Sequence, residues 1–302
     1  MKKYFGESAL LFNTIIWGAT FALIKGALDD SSPMIFVALR FGLAALLLFP
    51  FIYKQLFNVD KQTIIAGSIL GFFFFSGFAT QTIGLNYTTA TKSGFITGTF
   101  VVFIPILQLI IERRKPRWFN IFSIFLVLIG LILLSTKGEH FLDLIDELGS
   151  DFNIGDFLTL LCAILFAFQV VYVDVFTKKH PYMPMVFMQL FITGLGGIIF
   201  ALIFSAFNIE TIKFSLSPNL IFAVLYTALF ASILATVIQL KYQKIVTPTK
   251  AGIIYSFEPI MAAVFAYFLL SEKISNFGLL GGLFIFIGLL FSEYYEKRNE
   301  RT

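Results

Sequence analysis

Four ionisable side chains stand inside long apolar stretches of this 302-residue chain: Lys25, Arg40, Asp174 and Glu258. A lone charge at the centre of a spanning helix costs about 2.5–3.5 kcal/mol on insertion scales, so such groups face a protein interior or a watery cavity. Glu258 has the most chemistry to offer. It lies mid-stretch in YSFEPIMAA, directly before Pro259, whose missing N–H loosens a helix beside the carboxyl group. A carboxyl group there can carry a proton, hold a cationic solute, or serve as a buried structural partner. The Arg40 guanidinium can meet a solute carboxylate, pair with Glu258, or lock two helices together. Lys25, near the end of its stretch, can snorkel to water, cap a helix or touch solute at a gate. Asp174 has Lys178 four residues on, where the two side chains share a helix face. The amides of Gln81, Gln169 and Gln239 can extend a polar path, with Asn13, Thr20, Gln108 and Gln189. Trp17 and Tyr255, with Tyr87, Tyr172 and Tyr226, can wall it for a flat or amphipathic solute.

The elements that carry these residues follow from composition. Hydrophobic residues make up 58% of the chain, charged residues 13%, and mean hydropathy is +0.88. An ordinary soluble domain has about 25% charged residues, and no soluble globule of this size buries so much apolar surface. Ten apolar runs are predicted as helices at 8–28, 33–53, 63–85, 91–111, 118–136, 155–177, 183–205, 218–240, 249–271 and 274–292. Their continuity excludes a β-barrel, whose strands alternate. The fold class is all-α, a polytopic membrane protein embedded in a lipid bilayer. MKKYFGESALLFNTIIWG has no convincing cleavage pattern and is read as a retained first helix.

Several functions drop out. Cys162 is the only cysteine, and His140 and His180 lie far apart in loops, so neither disulfide nor metal site is expected. Walker, GxGxxG and HExxH patterns are missing, so no cofactor and no ATP-driven pump is expected. The net charge of +4 reflects membrane insertion, not nucleic-acid binding. Counting loops from a cytoplasmic N-terminus places sixteen Lys and Arg on the inner side and four on the outer. That bias predicts an even number of spans, both termini cytoplasmic, and a multi-pass protein of the inner (plasma) membrane.

The second half echoes the first at an offset of 158 residues. Gln81 falls on Gln239, Lys92 on Lys250, Gly94 on Gly252 and Gly130 on Gly288. The pairs Glu112-Arg113 and Glu272-Lys273 match at 160 instead. Two five-helix repeats, 1–136 and 155–302, are therefore predicted, joined by an acidic extracytoplasmic linker at 137–154 whose acidic cluster runs on to Asp156. Five is odd, so the second copy enters from the opposite face, the inverted-repeat plan of many carriers. Gly278, Gly281, Gly282 and Gly288 give the last helix a small face for close packing, as Gly67, Gly71 and Gly77 do for the third.

WGATFALIK (17–25), ALRF (38–41), KSGFITGTFVVFIPILQLIIERRKP (92–116), KAGIIYSFEPIMAAVFAYFLLSEKIS (250–275) and GLLGGLFIFIGLL (278–290) together resemble the drug/metabolite transporter superfamily, and within it the EamA-type ten-helix permeases. The resemblance implies a secondary active transporter, commonly an exporter, of small metabolites such as amino acids or related amphipathic solutes. It implies protons as a coupling ion in some members, and a monomer or homodimer. The competing reading is an integral membrane enzyme acting on lipid-linked or prenyl substrates, for which Asp29-Asp30 is the slender support; no catalytic residue is assigned.

Overall fold

The structure, a computed structural model, describes residues 2–135 and 152–299. Most of the predicted acidic linker lies outside the described residues. The described chain is helical throughout: α1 (Lys2–Ala27), α2 (Pro33–Phe57), α3 (Lys61–Tyr87), α4 (Ala90–Gly98), α5 (Phe100–Glu112), α6 (Trp118–Ser135), α7 (Ile154–Thr177), α8 (Tyr182–Ala206), α9 (Pro218–Tyr226), a π-helical segment Thr227–Leu234, α10 (Ala235–Tyr242), a 3-10 turn Gln243–Ile245, α11 (Pro248–Tyr255), α12 (Glu258–Leu270) and α13 (Asn276–Asn299). Among the described residues nine helical stretches are long and apolar enough to cross a membrane, and Trp118–Leu134 is a shorter apolar tenth.

The helix starts are written locally. Asp60, Thr89, Asn153, Ser217 and Thr247 each accept a backbone N–H from the first turn, and Pro33, Pro218 and Pro248 sit at the start, where a missing N–H costs nothing. The last helix runs to Asn299, beyond the expected end at 292, because SEYYEKRN continues the helix past its apolar run and ends it on Lys297 and Arg298.

Three of the ten predicted helices are not simple. The fourth breaks at Thr99 and the ninth at Ser256–Phe257. Side-chain hydroxyls cover the carbonyls near each break, Thr99 on Ile96 O at 2.6 Å and Ser256 on Gly252 O at 2.9 Å. The eighth widens into the π-helical segment. The fourth and ninth helices follow the offset residue by residue: α4 and α11 start 158 residues apart, as do α5 and α12, which also end so. Arg113 and Ser271, the capping residues, share φ 56° and ψ 27°. The 160-residue match of Glu112 with Glu272 is therefore incidental: Glu112 is the last residue of α5, whereas Glu272 lies beyond α12.

These two broken helices run antiparallel and cap one another. Glu272, past the end of α12, accepts the N–H groups of Ala90 and Thr91 at 3.1 and 3.2 Å. Gln108, near the end of α5, accepts the Thr249 N–H at 3.3 Å and its hydroxyl at 2.5 Å. Where they cross, a Cβ on Gly94 would lie 2.7 Å from Ala262 Cβ, and one on Gly98 would lie 2.6 Å from Pro259 Cγ. Among the glycines of the last helix, Gly281 and Gly288 touch α6 backbone, while a Cβ on Gly282 would meet only Ile260 Cγ1, at 4.0 Å.

Candidate functional site

Where α4 meets α5 and α11 meets α12, the chain forms a partly open cavity, about 510 Å³ of space with the solvent at its mouth included. Of the residues singled out from the sequence, Trp17, Gln81, Gln169, Gln239, Tyr255 and Glu258 line it. Thr20, Thr97 and four phenylalanines, Phe74, Phe78, Phe100 and Phe166, complete most of the wall. Glu258 is the first residue of α12 and only 9% exposed. Among the described residues its carboxylate has no hydrogen-bond or ion-pair partner. It is the one charged residue of the lining.

Arg40 stands behind that wall. It is buried, its Nε donates to Ser232 Oγ at 2.9 Å, and its guanidinium lies 4.6 Å from the ring centres of both Phe41 and Phe78. Phe78 lines the cavity and Arg40 does not. The expected direct pair of Arg40 with Glu258 is not formed among the described residues: the guanidinium is engaged with Ser232 and the two rings instead. Arg40 Nη2 is buried with no partner among the described residues. Lys25 is not in the lining either. Its ammonium donates to Leu85 O at 2.8 Å and Asn86 O at 3.3 Å, capping the end of α3.

The amides form one buried chain. Gln169 donates to Gln189 at 3.0 Å and to Gln239 at 3.4 Å, while Gln239 donates back to Gln169 at 3.1 Å and on to Gln243 at 3.3 Å. Tyr255 closes it, donating to Gln243 at 3.1 Å, and Gln81 donates to Thr97 at 3.1 Å. Such a chain fixes every amide dipole in place. Trp17 meets Tyr255 edge-on, ring centres 5.3 Å apart. Its indole N–H donates 3.1 Å to Ala231 O in the π-helical segment. The wider winding explains that partner: the Ala235 N–H reaches back to Phe230 O and Ser232 O and passes over Ala231. Asn13 donates to Ala235 O, at the first residue of α10, at 2.8 Å.

Other residues considered for the path lie elsewhere. Gln108 caps α11. Tyr172 stacks on Phe73, Phe168 and Phe176, Tyr87 is exposed, and the Tyr226 hydroxyl reaches Ile16 O at 3.3 Å. Asp174 pairs with Lys178 on one helix face, as its spacing indicates.

Two ionic clusters were not legible as such. Lys250, counted as a loop charge, is 3% exposed and pairs with Glu7, with Glu293 at 2.8 Å and with Glu296 at 2.9 Å. Asp156, assigned to the acidic cluster of the linker, is fully buried in the first turn of α7. It closes a capping box with Asn153, accepts the Thr88 hydroxyl at 2.9 Å and pairs with Lys92 at 2.7 Å. The signal was present in the sequence: Thr89-x-x-Lys92 and Thr247-x-x-Lys250 repeat one capped helix start in each half. Among the described residues no group of three or more His, Cys, Asp or Glu could hold a metal.

Comparison with known proteins agrees with this architecture. The profile of the EamA-like transporter family matches residues 4–136 and, separately, 153–294. A protein of Archaeoglobus fulgidus described as an uncharacterized transporter is 30% identical over 290 residues, covering 96% of this chain and 86% of that protein. A second one from the same organism is 25% identical over 286 residues, covering 93% and 94%. One crystal structure superposes with a TM-score of 0.71 at 15% identity, covering 97% of this chain and 99% of the other, which shows a shared fold.

Proposed function

Because the chain belongs to the EamA-like transporter family and is a membrane carrier, not an enzyme, we propose that it works as two inverted five-helix repeats, 1–136 and 155–302, that rock about the Glu258 cavity. The extracytoplasmic linker 137–154 joins them, both termini face the cytoplasm of a plasma-membrane protein, and the solutes exported are small amphipathic metabolites, amino acids and their amine relatives among them. The observation that carries this reading is the position of the cavity. It sits where two broken, antiparallel, offset-matched helices cross, and broken helices at a repeat interface are where carriers build their sites. The separate family matches to the two halves support the repeat, and the basic bias of the loops supports the orientation.

Glu258 then couples transport. A carboxylate with no protein partner can take a proton from one side and exchange it for solute on the other. In liposomes, Glu258→Gln is expected to insert normally and to lose pH-dependent counterflow. Unchanged transport with unchanged pH dependence would remove Glu258 from the coupling role. Inversion is tested apart from transport. Tyr87 and Ile245 are offset-related and exposed. In a Cys162→Ala background, Tyr87→Cys and Ile245→Cys are expected to react with an impermeant maleimide from opposite membrane faces. Reaction from the same face would end the inverted-repeat reading.

A further inference from the structure

We infer that the cavity selects an organic monocation, a protonated amine on a flat apolar body that carries no carboxylate. This rests on the carrier reading above and narrows its solute class. Most hydrogen-bond donors of the wall are already spent within the protein. Both N–H groups of the Gln169 amide are spent on Gln189 and Gln239, and both of Gln239 on Gln169 and Gln243. The Trp17 N–H is spent on Ala231 O, the Tyr255 hydroxyl on Gln243, and the Thr20 hydroxyl on Trp17 O at 2.7 Å. One N–H of Gln81 goes to Thr97. What remains to donate is the second N–H of Gln81 and the Thr97 hydroxyl.

The acceptors are unspent by contrast. The Glu258 carboxylate has its oxygens available, and six aromatic rings line the same space. Ring faces attract cations within about 6 Å, and most strongly when water is excluded. Trp17 and Tyr255 suit this, because their polar ends are tied to the protein and only ring surface is left to present.

A solute carboxylate finds no matching partner. The nearby cation, Arg40, is not part of the lining: its guanidinium lies against Phe78 and its Nε donates to Ser232. A zwitterion entering this space would strip water from a carboxylate and receive at most two neutral donors, beside a fixed negative charge. Burying a charge uncompensated is far costlier than any gain from matching the apolar body. Selection against the zwitterion therefore follows from the same residues that attract the amine.

Four probes sharing one benzene ring separate the terms: phenethylamine, phenylalanine, 3-phenylpropionate and 2-phenylethanol. The chain has two tryptophans, and Trp118 lies exposed on the outer surface. Trp118→Phe leaves Trp17 as the reporter. The expected result is saturable quenching of Trp17 by phenethylamine at concentrations lower by about tenfold or more than phenylalanine requires, and no effect of 3-phenylpropionate. Glu258→Gln should abolish the preference for the amine while 2-phenylethanol still binds, which shows the variant folded. Phenylalanine or 3-phenylpropionate binding as tightly as the amine would overturn the charge selection and leave the carrier reading standing. No saturable quenching by any of the four would overturn both the selection and the cavity as the solute site.

Discussion

Lys92 and Lys250 hold the same place, 158 residues apart, in two helices that run in opposite directions, and each turns its ammonium onto the first helix of the other half. Lys92 reaches Asp156 of α7 at 2.7 Å, and Lys250 reaches Glu7 of α1. The two clusters thus tie the halves at opposite ends of the molecule, with the cavity between. Removing one member of a buried ion pair costs about 3–5 kcal/mol. That shifts a two-state equilibrium by a hundredfold or more, at about 1.4 kcal/mol per factor of ten. Cys162, fully buried beside Thr97, itself a lining residue of the cavity, reports the outcome. Lys250→Ala is expected to speed its reaction with an impermeant maleimide from the N-terminal face, and Lys92→Ala from the other face. Equal acceleration from both faces in either variant would show that the ion pairs only hold the fold.

The partnership of α1 with the π-helical segment separates two neighbouring substitutions. Trp17→Phe keeps an aromatic ring but leaves Ala231 O without its indole donor, costing about 1–3 kcal/mol. Asn13→Leu leaves Ala235 O without its side-chain donor, yet it also removes Asn13 Oδ1, which is buried with no partner among the described residues. The two terms offset. Thermal unfolding of the purified variants should therefore rank Trp17→Phe well below wild type and Asn13→Leu close to it.

Those contacts also mark the limit of sequence reading. The ten apolar stretches, the shared offset and the cavity-lining roles of Glu258, Gln81, Gln169 and Gln239 rest on hydropathy and on polar residues stranded in it, and one chain displays both. The π-helical segment does not announce itself, because TALFASIL has ordinary helical composition; its winding answers to side chains on α1 more than two hundred residues away. Arg40 misled for a related reason. Its charge is visible in the sequence, but its place against Phe78, one of 40 phenylalanines, and outside the cavity lining is not. Lys92, Lys250 and Asp156 stand at helix ends, where a charge is ordinarily solvated; packing of those ends against other helices buries Lys250 and Asp156 and half-buries Lys92.

The contact between α6 and α13 is made backbone to backbone. A Cβ on Gly281 would collide with Gly130 O and lie 2.6 Å from Leu134 N, neither of which can swing away. A Cβ on the next residue, Gly282, would meet only Ile260 Cγ1, at 4.0 Å. Overpacking a tight contact costs about 1–3 kcal/mol, whereas Ala for Gly in an unobstructed helix gains up to about 1 kcal/mol. Gly281→Ala should lower the thermal midpoint and the yield of monodisperse protein in detergent. Gly282→Ala should hold or raise both. A loss of equal size in the two would mean that helix flexibility, not close approach, is what these glycines supply.

Asp60 lies outside the spanning segments, at the start of α3. It accepts the Thr63 hydroxyl and, at 3.2 Å, the Thr63 N–H, and the same hydroxyl lies 2.9 Å from His180 Nδ1 at the α7–α8 turn. The Thr63 side-chain bond, then the backbone bonds and the charge of His180, hold the Asp60 carboxyl below the usual carboxylate range. The sign follows. In the folded state this group releases its proton more readily than in the unfolded chain, so its contribution is present above the ordinary aspartate value of about 3.9 and is lost as pH falls through the lower folded value. Asp60→Ala should therefore unfold faster than wild type near neutral pH, and the two rates should converge as pH falls below 4. Asp60→Asn, which can still cap the helix, should keep most of the effect without the pH dependence. A difference between Asp60→Ala and wild type that persists unchanged into acid would mean that the carboxylate charge plays no part in joining these two turns.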